Sequence, residues 1–270
     1  MTFSTTLKSA LFGLSTIALT ATGAMADDLA DIKSAGKIVA ATEMHYAPFD
    51  MLDQGEYVGF DRDLFDAIAK ELGVKPVYED LPWTSILPGL EVKKFDFVLA
   101  PVTMTSERAK RYSFTLPIAD ATVAFVQRKG GKMTKPADAK GMTVGVQKGT
   151  AQEKQLEAYS DKIGGITIKG YGTTDEAYAD LMTGRLDAVA GSAPLLNYLA
   201  KTRPDDFAVV NPPFGTPTYF GYVARKGEGD SLVAAVNDAI KKIEADGRMK
   251  TLQEKWFGAA TDLPETMPKL

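Results

Sequence analysis

The stretch Asp61-Arg62-Asp63-Leu64-Phe65-Asp66-Ala67-Ile68-Ala69-Lys70-Glu71-Leu72-Gly73-Val74-Lys75-Pro76-Val77-Tyr78 changes its hydrophobic period partway along, and that change decides the fold class. Leu64, Phe65, Ile68, Ala69 and Leu72 fall on one face of an α-helix. Asp61 and Asp63 stand where N-caps are expected, and Gly73 can end the helix by taking the left-handed backbone. Val74 to Tyr78 then reads as a strand. The same alternation surrounds this segment. Lys37-Ile38-Val39-Ala40-Ala41 suits a buried strand, a helix is expected around Ile86, Leu87 and Leu90, and Phe95-Asp96-Phe97-Val98-Leu99-Ala100 is the next strand. Strands alternating with helices predict right-handed crossovers onto a mostly parallel sheet.

A second set begins near Thr143-Val144-Gly145-Val146, where Thr150 and Glu153 have the spacing of a capping box for the following helix. Ile166-Thr167-Ile168 is another strand, and Thr173 with Glu176 makes a second capping pair. That helix runs through Tyr178 and Leu181 to Gly184, and Leu186-Asp187-Ala188-Val189-Ala190 returns as a strand. Asn211 to Pro217, with three prolines, is expected to break the pattern before Gly221-Tyr222-Val223-Ala224. An amphipathic helix with Leu232, Val233, Val236, Ala239 and Ile240 follows. The predicted architecture is two α/β lobes whose mouths form a cleft.

Residues 1 to 26 read differently. Lys8 precedes an apolar run from Ala10 to Leu19 that is too short for a bilayer span, and Ala24-Met25-Ala26 has the small-x-small pattern of a signal-peptide exit. The reading is a cleaved export signal with Asp27 as the first mature residue. The absence of cysteine removes disulfides, zinc–thiolate sites, thiol nucleophiles and a lipid-modified cysteine together. The expected location is therefore a bacterial periplasm, without an anchor. A formal net charge of −4 argues against a nucleic-acid surface, which needs clustered cations.

Three motifs carry a resemblance: Gly59-Phe60-Asp61-Arg62-Asp63-Leu64, Thr103-Met104-Thr105-Ser106-Glu107-Arg108 and Lys255-Trp256-Phe257-Gly258. In their order and spacing the chain from about Lys37 to Gly258 resembles the periplasmic amino-acid-binding proteins of ABC importers. That family includes the glutamine-, histidine- and lysine/arginine/ornithine-binding proteins. Arg62 stands where the family usually has an aliphatic residue. The resemblance implies a discontinuous lobe 1 (37–117 plus 221–258), an inserted lobe 2 (122–216), and hinge strands at 118–122 and 216–220. It further implies a monomer without cofactor or metal that hands its ligand to a membrane permease.

The resemblance also assigns a site. Arg108 offers a planar donor fork for a carboxylate, with Thr103 beside it and the Pro101 carbonyl accepting from the ligand's ammonium group. From lobe 2 the Ala151 backbone, at a helix N-terminus, would meet the same carboxylate. Tyr46 and Trp83 stand where the family sandwiches the ligand between rings. Glu43 corresponds to an acid that meets the distal end of cationic or amide side chains. Gln147 replaces a lysine of some relatives, which argues against an acidic ligand. Ser192 departs from the family, which holds an aspartate there against the α-ammonium; either Glu43 compensates or the ligand nitrogen is substituted, as in opine-like amino acids. The expected ligand is a polar amino acid or a derivative of one. Two other readings stand beside it: a dehydratase on the same fold, with His45 beside Glu43 as base, and a sensor for a membrane receptor.

Overall fold

A computed structural model of the protein describes residues 1–2 and 27–270, so the proposed export signal lies outside the described residues. In chain order the first part comprises α1 (Asp28–Ala35), β1 (Lys37–Thr42), β2 (His45–Tyr46), β3 (Asp50–Asp53), β4 (Glu56–Val58), α2 (Phe60–Leu72), β5 (Lys75–Asp80), α3 (Trp83–Glu91), β6 (Phe97–Thr103), α4 (Ser106–Ala109), β7 (Tyr112–Phe114) and β8 (Ala119–Asp120). Then come β9 (Val123–Arg128), β10 (Thr143–Gln147), α5 (Ala151–Ile163), β11 (Thr167–Tyr171), α6 (Thr174–Met182), β12 (Ala188–Ser192), α7 (Ala193–Thr202) and β13 (Phe207–Phe214). The chain finishes with β14 (Tyr219–Arg225), α8 (Asp230–Ala245) and α9 (Arg248–Phe257).

Two sheets organise these elements into a two-lobed α/β fold of the periplasmic-binding-protein type. The first has the order β5-β1-β6-β14-β7, with β8 also on β14; the second has β11-β10-β12-β9-β13. Each is mixed. β1 runs parallel to β5 and β6, and β10 parallel to β11 and β12, but β14 and β9 enter antiparallel. The antiparallel strands are those next to the two places where the chain passes between the sheets, from β8 to β9 and from β13 to β14.

Both faces of each sheet are covered. Along β1 and β6, Ile38, Ala40, Phe97 and Leu99 face α2 and α8, while Ala41, Val98, Ala100 and Val102 face α3. In the second lobe Val144, Val146 and Phe125 pack on Leu156 of α5, and Val126 and Val189 pack on Ala177, Leu181 and Leu196 of α6 and α7. Each fully buried Val, Leu, Ile or Phe among these contributes about 1.5–3 kcal/mol.

Several local expectations change. The N-cap of α2 is Gly59 and no side chain caps it. Its N-terminal amides bond to a loop instead: Phe60 N–H donates to Pro48 O at 2.9 Å and Asp61 N–H to Phe49 O at 3.0 Å. Asp61 is thereby freed from capping and buried, and Asp63 accepts from Lys255 and Trp256. At α5, Thr150 accepts from Glu153 N–H, but the Glu153 carboxylate reaches Gly149 N–H, one residue early for a reciprocal box. The Thr173–Glu176 box is complete. Pro212 and Pro213 do not end β13; they sit in an irregularity between Val210 and Phe214, so no ladder bond is asked of them. The small sheet β2-β3-β4 had no signal, because its strands are two to four residues long.

Candidate functional site

The ends of the central strands put polar side chains at the mouth of each lobe, where open α/β sheets form ligand crevices. Glu43 follows β1, Pro101 and Thr103 end β6, and Gln147 ends β10. Trp83 opens α3, Arg108 lies on α4, and Thr150 and Gln152 begin α5. The small sheet adds Tyr46 and Asp50. These residues, with Ala100 and Phe220, line one cavity. Pro101 fits the end of β6 because β1 pairs with that strand only at Phe97 and Val98, so its missing N–H costs no bond there.

Hydrogen bonds cross the cavity from lobe to lobe. Gln147 Nε2 donates to Glu43 Oε2 at 2.7 Å, Trp83 Nε1 to the Gly149 carbonyl at 3.1 Å, and Gln152 Nε2 to Thr103 Oγ1 at 3.2 Å. At the rim, Lys154 and Glu107 pair at 2.6 Å and Thr174 Oγ1 donates to the His45 carbonyl. The lobes are in contact, and the cavity is held between them.

Arg108 is the cation of this cavity. Its guanidinium stacks over Trp83 at 5.3 Å, donates to the Thr103 carbonyl at 3.1 Å and lies 3.4 Å from the Gly149 carbonyl. Both acceptors are neutral. No carboxylate among the described residues forms an ion pair with Arg108, and burial lowers its pKa to about 10, leaving it charged at neutral pH. Glu43 is buried, accepts also from Trp83 N–H at 3.4 Å, and is pushed above the usual carboxylate range by desolvation. The lining therefore presents an unpaired cation and under-compensated acids to the same space. That matches a ligand carrying charge of both signs.

Glu43, Tyr46, Trp83, Pro101, Thr103, Arg108 and Gln147 are thus brought together. Ala151 is not among them. It lies about 100° round α5 from Gln152 and lines an outer groove that it shares with Arg108, Ser106 and Lys154. Ser192 does not line the cavity either. It is fully buried at the end of β12, paired with Val123, and its hydroxyl lies 3.4 Å from the Tyr46 hydroxyl. His45 turns to the rim, half-exposed and 3.7 Å from Asp175 of the other lobe, and does not line the cavity. Asp50, Ala100 and Phe220 escaped the sequence reading as site residues, and Thr150 and Gln152 entered it only as part of the helix start around Ala151. For Gln152 the signal was adjacency to Ala151 at the helix start; for Asp50 there was none.

Comparison with known proteins agrees with this architecture. The model of the bacterial extracellular solute-binding proteins, family 3, matches residues 38–259. The L-cystine-binding protein TcyJ of Escherichia coli (strain K12) is 34% identical over 261 residues, covering 93% of this chain and 96% of that protein. The ABC transporter arginine-binding protein 1 of the same strain is 29% identical over 228 residues, covering 83% and 92%. Among solved structures, an ancestral arginine-binding protein bound to arginine superposes with a TM-score of 0.76 at 34% identity, covering 83% of this chain and 99% of that one.

Proposed function

The chain belongs to the bacterial extracellular solute-binding proteins of family 3, and on that premise we propose that it captures a polar amino acid, or a derivative of one, between its lobes and delivers it to the permease of an ABC importer. The observation that carries the reading is Arg108, charged and without a carboxylate partner, in the same cavity as Glu43 and Asp50. Two parallel charge-assisted bonds from its guanidinium suit the ligand's carboxylate, with Thr103 Oγ1 beside it. Tyr46, Trp83 and Phe220 supply aromatic surface. The Pro101 carbonyl and Glu43 are acceptors for the ligand nitrogen. With Ser192 turned to Tyr46, position 192 supplies no carboxylate to that nitrogen, which favours an amine that is substituted or shared with Glu43.

Closure follows from the same contacts. Gln147, Gln152 and the Gly149 carbonyl meet lobe 1 only when the lobes approach, so a ligand that bridges them binds the closed form better and shifts the population toward it. The hinges of this motion are the two crossings, β8 to β9 and β13 to β14. The relatives are binding proteins, and His45, the base that a dehydratase reading assigns, lies outside the cavity. Secretion to the periplasm agrees with the family's extracellular description, and no helix among the described residues is long and apolar enough to cross a membrane. Small-angle scattering tests the motion. The radius of gyration is expected to fall when the ligand is added back to stripped protein, and the ligand to be recovered chemically unchanged; a constant radius at saturation, or conversion of the ligand, defeats the reading.

A further inference from the structure

The bond that joins Gln147 to Glu43 leaves one atom of the pair free. Gln147 ends β10, which lies between β11 and β12, and its own carbonyl is held by the Thr150 hydroxyl at 2.8 Å. Its Nε2 donates across the lobes to Glu43 Oε2 at 2.7 Å and within its own lobe to the Gly172 carbonyl at 3.2 Å. A carbonyl can only accept, so the amide nitrogen is fixed on that side and Oε1 on the other. Among the described residues nothing donates to Oε1. The residue is only 4% exposed, yet this oxygen is not sealed in, and the space that Gln147 lines is the cavity.

Glu43 also keeps unused capacity. Its donors are the Gln147 amide and the Trp83 backbone N–H, and no lysine or arginine pairs with it among the described residues. A carboxylate has about four acceptor directions, so two remain. Position 192 does not compete for the same group, because Ser192 is fully buried beside Val123 with its hydroxyl toward Tyr46. A primary ammonium brings three N–H donors. Three acceptors of the lining suit them: the Pro101 carbonyl and Glu43 from lobe 1, and Gln147 Oε1 from lobe 2. One of the three is anionic, which matches a single positive charge.

We propose that Glu43 and Gln147 together seat the ligand's α-ammonium, with Gln147 Oε1 as the acceptor that lobe 2 supplies in place of the residue at 192, so that the protein selects amino acids whose α-nitrogen is unsubstituted. This rests on the amino-acid reading above. It also couples recognition to closure, since the Gln147 oxygen reaches the nitrogen only when β10 approaches Glu43.

Calorimetry with the twenty standard L-amino acids, L-cystine and their Nα-methyl forms tests this, the tightest free amino acid serving as the probe for the variants. The wild type is expected to bind the free form roughly tenfold or more above its Nα-methyl form, which has one N–H fewer. Gln147→Leu should weaken the free form by roughly ten- to a hundredfold, the loss of one bond to a charged group. Gln147→Lys keeps a donor for Glu43 but loses the acceptor, and should bind no more tightly than Gln147→Leu. If Gln147 serves only as a tie between the lobes, Gln147→Lys binds more tightly than Gln147→Leu, and the inference is overturned. Unchanged affinity in Gln147→Leu overturns it too, as does a wild type that binds Nα-methyl forms as tightly as free ones, whether or not the variants fold. Those outcomes leave the amino-acid reading standing, whereas a wild type that binds nothing in the panel overturns that reading and this inference with it.

Discussion

Replacing Arg108 with alanine is expected to abolish ligand binding while the protein stays folded. The guanidinium is the cation that faces the cavity, and a carboxylate would take two charge-assisted bonds from it, each worth about 1.5–3 kcal/mol. Losing both corresponds to a drop in affinity of roughly a hundred- to ten-thousandfold, as 1.4 kcal/mol is a factor of ten. The cost to folding is small. Arg108 is only half-buried, and its present acceptors are single carbonyls, of Thr103 and Gly149, rather than a charge partner. Calorimetry and a thermal melt of the same preparation separate the two effects: binding lost with the melting temperature unchanged supports the assignment, and retained affinity removes it.

Gly59→Ala is expected to damage the protein more than any substitution in the cavity lining. Gly59 has φ 145°, which only glycine adopts readily, and a Cβ built there would lie 2.0 Å from the Phe49 carbonyl oxygen. That oxygen accepts the Asp61 N–H that starts α2, so the clash cannot be relieved without pulling α2 from the loop. The Phe49 ring packs against Phe60, Phe220 and Phe257, so the disturbance enters the core. Backbone strain combined with repacking places the loss above about 4 kcal/mol, or about 8–16 °C in melting temperature for a protein of this size. Differential scanning calorimetry measures it, and a melt within about 2 °C of wild type would show that the loop yields.

Much of this architecture is legible from hydrophobic period alone. The face Leu64, Phe65, Ile68, Ala69 and Leu72 is buried as its spacing requires, and Gly73 ends α2 in the left-handed conformation. Less was readable where the tertiary structure overrides local preference. Asp61 looks like a cap in sequence, yet the carbonyls of Pro48 and Phe49 take the helix amides and the side chain goes into the core. Strands as short as His45–Tyr46 have no period to read, so the sheet that carries Tyr46 and Asp50 into the cavity was invisible. Pro212 and Pro213 argue against a strand unless an irregularity spares them. In the cavity, residues on motif spacings were foreseeable. Asp50 was not, since nothing around a single acid after Pro48-Phe49 distinguishes a buried carboxyl from a solvated one.

The central claim is that the cavity between the lobes holds an amino acid by its carboxylate, and the most direct measurement is the identity of the small molecule the purified protein retains. Denaturing the protein and analysing the released fraction by mass spectrometry should yield about one molecule per chain, held in the cavity that Arg108 and Glu43 line. The account predicts an amino acid, free or substituted on its α-nitrogen. A retained compound that lacks a carboxylate, such as a sugar or a polyamine, would contradict it.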